Sequence, residues 1–157
     1  MSFQFETVRR IESRPGAVED LGVLVRGLSC RRLLVVTDSG IEKSGLLDGP
    51  LRSLRAEMDQ VSVFSKVQAD PPEAVVLEAV AQAREEKIDG IVGLGGGSSL
   101  DTAKIAALLA CTPQKLDDIY GIGLARGERL PLVLIPTTTG TGSEVTPIAI
   151  LTTPSTE

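Results

Sequence analysis

A length of 157 residues fits one domain of ordinary size, large enough to bury about two thirds of the surface its unfolded chain exposes. With 16 basic against 21 acidic residues, a net charge of -5 and no run of like charge, the chain has no electrostatic footprint for nucleic acid or an anionic membrane; no apolar stretch approaches a bilayer span. Histidine is absent altogether, which removes mechanisms that use imidazole as ligand, acid or base.

The first twelve residues are predicted to hold an extended strand over Phe3 to Glu12. A Pro15-Gly16 turn follows, then a helix with apolar positions at Leu21, Leu24, Val25 and Leu28. Nothing in MSFQFETVRR resembles a secretion signal. Cys30 and Cys111 lack disulfide or ligand spacing, so a cytoplasmic protein with free thiols is expected.

From there the pattern becomes regular. Four short runs rich in branched residues recur at Leu33 to Val36, Val61 to Phe64, Ile88 to Leu94 and Leu132 to Ile135, each predicted as a strand buried on both faces. Between them lie helical spacings at Leu47, Leu51, Leu54 and Met58, and at Val76, Val80 and Ala83, the second opening after Pro71-Pro72 with Glu73 in its first turn. Alternation of this kind predicts an α/β domain with a parallel sheet and helices on both faces. A looser stretch covers Gly121 to Gly127, and Ile148 to Thr153 reads as a further strand.

Three places carry chemistry. The first is GIVGLGGGSSLDTAKIAALLA, Gly90 to Ala110, a strand, a glycine cluster and a helix. Ser98 is the expected N-cap, with Asp101 at capping-box spacing. A capped turn alone does not need Gly95, Gly96 and Gly97 in succession, because glycine costs up to about 1 kcal/mol of ordering entropy. Backbone that lets a phosphate approach the helix N-terminus does. The cluster matches GxGxxG only in its first two glycines and lacks the Lys-Ser/Thr ending of a P-loop. Lys104 either reaches this cradle or pairs with Asp101 at i, i+3, and a surface pair is expected.

The second place is PTTTGTGSEVT, Pro136 to Thr146, where Thr137, Thr138, Thr139, Thr141, Ser143 and Thr146 gather six hydroxyls after a strand. Such a loop either satisfies its own backbone or, on the rim where open parallel sheets bind ligands, lines a cleft with the glycine cluster. The third is Asp38 in LLVVTDSG, which either caps the next helix or accepts hydrogen bonds from a ribose. In the second role it favours NAD over NADP, because a 2′-phosphate would meet a fixed negative charge.

GGGSSLDTAK, then PTTTGTGSEVT, with LLVVTD upstream, closely resembles the N-terminal half of the iron-containing (group III) alcohol dehydrogenases along essentially the whole chain. The resemblance implies a Rossmann-like NAD(P)-binding domain over 1–157, expected as a fragment of a two-domain enzyme whose helical C-terminal domain holds Fe(II) or another divalent ion. Carried over, Asp38 matches the acid that faces the adenosine ribose; Gly96, Gly97 and Ser98 match the pyrophosphate loop, with Gly95 of the cluster beside them as a further cofactor-binding candidate, and Asp101 matches the acid at the start of its helix. Thr137, Thr138, Thr141, Ser143 and Val145 run from the adenosine end toward the nicotinamide, and the strand near Phe3 to Arg9 resembles the segment that pairs across a family dimer, so a homo-oligomer is expected. The implied reaction moves a hydride between a primary alcohol or its aldehyde and nicotinamide. The family's metal ligands, an Asp and three His, have no counterpart in this chain, so the chain alone is expected to be inactive and to carry no metal.

Rival readings stay open. Glycerol and glycerol-1-phosphate dehydrogenases tend to carry Lys at the Ser98 position, dehydroquinate synthases have a different loop at Thr137 to Ser143, and maleylacetate reductases usually interrupt TTTGTGSE. From another class, a stand-alone nucleotide-binding or assembly module would also bind nucleotide.

Overall fold

Branched residues that alternate between two faces force this chain to cover both sides of its sheet. In β1 (Arg32–Asp38), Leu34 and Val36 enter one apolar cluster while Leu33 and Val35 enter another. The computed structural model describes residues 7–153. It shows four parallel strands, β1, β2 (Gln60–Val67), β3 (Gly90–Gly95) and β4 (Leu132–Pro136), in the order β2-β1-β3-β4. Helices α1 (Leu21–Arg26) and α3 (Asp48–Glu57) cover one face, α4 (Glu73–Glu85) and α5 (Gly97–Leu109) the other; a short α2 (Ser39–Lys43) follows β1. This is the Rossmann-like arrangement that alternation requires.

The two central strands are buried along their length, and the expected apolar runs there match. β2 and β4 depart from expectation. Both are only partly covered, because each stands at an edge of the sheet among the described residues. Close packing of α5 on β3 depends on Gly93, where a Cβ would lie 2.7 Å from the Ala103 Cβ.

Two expected strands differ. That of Phe3 to Glu12 falls partly outside the described residues, and Thr7 to Glu12 within them form none. Ile148 to Thr153 makes a single bridge, Thr152 beside Pro72, instead of a strand. Its backbone is already engaged: the Ile148 carbonyl accepts from Lys104 and the Ile150 N–H donates to Asp101, so no ladder can continue. No helix among the described residues is long and apolar enough to cross a membrane.

Candidate functional site

Strand order reverses between β1 and β3. From β1 the chain crosses to β2 on one side, whereas β3 leads to β4 on the other, and such a switch point opens a crevice outside the carboxyl ends of the strands. Asp38 and Gly95 end the two strands that flank it. Pro136, ending β4, pairs with Gly95, and the Thr137 N–H donates to the Gly95 carbonyl at 2.9 Å. Register alone therefore brings the glycine cluster and the hydroxyl loop side by side.

The three glycines have three different reasons. Gly95 has φ +148°, a conformation that L side chains avoid, and a Cβ there would lie 2.7 Å from Ser99 Oγ. At Gly97 a Cβ would lie 2.9 Å from Thr141 Cγ2, so the close seat of the hydroxyl loop on α5 needs glycine. At Gly96 a Cβ would meet only Thr138, at an ordinary 3.5 Å. The fold has no demand for glycine at this middle position, which points to a ligand's approach.

The helix start corrects the expected cap. Gly96 is the N-cap of α5, its carbonyl accepts from the Leu100 N–H at 3.1 Å, and no side chain caps the end. Ser98 lies within the first turn. Its spacing to Asp101 imitates a capping box, but the glycines let the chain turn helical earlier. The first-turn N–H groups of a 13-residue helix are thus left without a side-chain acceptor beside the crevice.

Asp38 does cap. Its Oδ1 accepts from the N–H groups of Gly40 at 2.8 Å and Ile41 at 3.0 Å, fixing the start of α2. Its Oδ2 accepts from Ser99 Oγ at 3.4 Å and lies beside Gly95. One carboxylate oxygen serves the fold, and the other faces the switch point.

Beyond Gly97 the crevice widens into a cleft of about 390 Å³, lined by Gly97, Ser98, Asp101, Thr141 and Ser143. Asp70, Pro71, Thr146, Ile148 and Ile150 complete it. Of these five, only Thr146 belongs to an expected site; Asp70 and Pro71 follow a strand onto the same rim, and Ile148 and Ile150 are expected from sequence only as a strand. Thr137, Thr138 and Thr141 are exposed at the edge; Val145 does not line the cleft, and its N–H donates to the Gly142 carbonyl. Asp101 is buried, and its oxygens accept from Lys104 Nζ, Ser143 Oγ and the Ile150 N–H, at 3.0, 2.8 and 3.0 Å. The Lys104 pair is present but is largely covered instead of superficial as expected.

Among the described residues no three His, Cys, Asp or Glu side chains converge, and Asp101 is committed to internal partners. They do not fit an iron site.

A parallel sheet with a glycine-lined, uncapped helix start at its switch point belongs to the Rossmann-like α/β class. Within that class the chain is a member of the iron-containing alcohol dehydrogenase family, whose model matches residues 9–157. It is 36% identical over 137 residues to the NAD-dependent methanol dehydrogenase of Bacillus methanolicus, covering 87% of this chain and 36% of that protein. It is 42% identical over 139 residues to long-chain-alcohol dehydrogenase 1 of Geobacillus thermodenitrificans, covering 87% of this chain and 35% of that protein. A crystal structure of 1,3-propanediol oxidoreductase superposes with a TM-score of 0.92 at 32% identity, over 98% of this chain and 40% of that one. The chain thus spans little more than a third of the length of the curated relatives.

Proposed function

We propose that residues 1–157 form a single dinucleotide-binding domain that takes NAD along the carboxyl edge of the sheet. The observation that carries this reading is Gly96, a glycine the fold does not require, at the uncapped start of α5. The first-turn N–H groups of α5 receive the pyrophosphate, and the helix dipole favours its charge by roughly 0.3 to 1 kcal/mol. Asp38 Oδ2 accepts from the adenosine ribose, which sets NAD ahead of NADP. The cleft beyond Gly97 holds the nicotinamide half, with Thr141 and Ser143 along its wall.

When bound, the coenzyme supplies a hydride acceptor at nicotinamide C4. In a protein of the relatives' full length, the proposed reaction is oxidation of a primary alcohol or reduction of its aldehyde. The part of this chain is to bind and orient. Among the described residues none offers an imidazole or a converging metal donor set, so no proton or metal step is assigned to them.

The test is Gly96→Val. Its backbone, at φ -77° and ψ -179°, suits a branched residue, and the added Cβ meets only the exposed Thr138 at an ordinary 3.5 Å. NAD affinity should fall by about a hundredfold while the melting temperature stays within about a degree. Equal affinity in variant and parent contradicts the cradle. Gly97→Val is a poorer test, because it also drives Thr141 from its seat.

A further inference from the structure

Residues 143–150 have no regular secondary structure, yet Ser143, Thr146, Ile148 and Ile150 form one side of the cleft. Ala149 and the adjoining Leu151 pack against the core, but the two cleft-lining residues between and beside them gain little from burial, Ile148 being 54% and Ile150 68% exposed. What fixes the backbone of these two is polar. Lys104 and Asp101, one turn apart on α5, form an ion pair with side chains only 11% and 8% exposed. Lys104 Nζ donates to Asp101 Oδ1 at 3.0 Å and to the Ile148 carbonyl at 2.6 Å. The same carboxylate accepts from Ser143 Oγ at 2.8 Å and from the Ile150 N–H at 3.0 Å. A single, largely covered pair thereby fastens the segment at three points.

A surface pair would contribute little. Here both charges are largely shielded from water, so removing Lys104 leaves the Asp101 carboxylate buried without its counter-charge and loosens the backbone at Ile148.

We propose that Lys104 is a positioning residue: acting through Asp101, it sets Ile148 and Ile150 as the wall of the cleft at the end remote from Asp38, against the nicotinamide half of the coenzyme. This rests on the NAD reading above. It differs from a merely structural role in one respect. Loosening the wall should weaken a ligand that reaches it and spare one that stops at the pyrophosphate.

NADH and ADP are the two probes, since ADP carries adenosine and both phosphates but no nicotinamide. Binding to the parent chain, Lys104→Met and Lys104→Arg is measured by calorimetry, alongside melting temperatures. The expected result is NADH binding weakened about tenfold or more by Lys104→Met, ADP binding within about twofold of the parent, and most of the NADH affinity recovered in Lys104→Arg. Unchanged NADH affinity, or a parallel fall for both ligands, overturns the assignment. If Lys104→Met does not fold, the double variant Asp101→Asn with Lys104→Met, which leaves no unpaired charge, carries the same comparison. Failure of both to fold makes the pair structural and overturns the positioning role. A parent that binds neither probe refutes the NAD reading itself, whereas a parent that binds both with a parallel loss in the variants refutes only the role of Lys104.

Discussion

The two ends of this sheet share strands and helices but treat their polar groups in opposite ways. At the amino end Asp89 accepts from the N–H groups of Arg31 and Arg32, at 2.9 and 2.8 Å. The Arg32 guanidinium donates to the Glu86 carbonyl, and the Glu86 carboxylate collects the Ser62 hydroxyl, Gln60 at 2.7 Å and Gln82 at 2.8 Å. Cys30 is buried in the same region, which pushes its thiol up to about 11, with the Asp89 charge adding to the effect. Donors and acceptors there close on one another. At the carboxyl end the start of α5 has no side-chain cap, a Cβ at Gly96 would meet only Thr138 and Thr137 to Thr141 are exposed. Satisfied polar groups stabilise a fold, whereas unspent donors arranged on a rim await a ligand. The contrast separates residues that hold the domain from those proposed to bind the coenzyme.

Breaking the closed end should cost stability and leave binding alone. Asp89→Ala strips two backbone donors of a charged acceptor and is expected to destabilise the chain by about 1 to 3 kcal/mol in a urea titration. NAD affinity of the folded fraction should be unchanged. Weakened binding at equal stability would mean that the two ends are not independent.

Asp38 sharpens the contrast, since it belongs to both categories. Asp38→Gly removes the cap of α2, and glycine is itself a tolerated cap, so the stability loss should be only a few tenths of a kcal/mol. The NAD to NADP affinity ratio should fall by about tenfold, read by competition between the two coenzymes. A parent that already takes NADP as tightly as NAD removes the ribose role from the second carboxylate oxygen.

The smallest effect is a pH dependence at the closed end. The Ser62 hydroxyl, helped by Gln82, Gln60 and the Arg32 charge, holds the Glu86 carboxyl below its ordinary 4.5 against the opposing effect of burial. A carboxylate depressed in the folded state contributes stability that is present above its unfolded value and is lost as pH falls through the folded one. Stability of the parent should therefore drop as pH is lowered below 4.5, and Glu86→Gln should drop less over that window. Identical slopes for the two would show that Glu86 is not coupled to folding.

How much of this was legible in the sequence follows from the range of the forces involved. Continuous branched runs located all four strands to within a few residues, because burial on two faces leaves a local signature. The edge character of β2 and β4 left none, since it depends on which strands fail to find a neighbour. Ser98 and Asp101 have the spacing of a cap, yet the partners of Asp101 include Ser143 and Ile150, remote in sequence, and no local pattern announces them. The same contacts took the backbone of Ile148 and Ile150 away from the strand that their composition suggested. In the sequence, three glycines in a row are indistinguishable members of one cradle. Only coordinates divide them into two that packing and backbone require and one, Gly96, that neither does.

The central claim, that the carboxyl end alone is the working end, is tested most directly by titrating the isotopically labelled chain with NAD and following its backbone amides by NMR. The account predicts shifts at Gly96 to Ser99 and at Thr137 to Thr141, with the amides of Arg31, Arg32 and Asp89 unmoved. Shifts centred on the amino end, or none anywhere at saturating NAD, would contradict it.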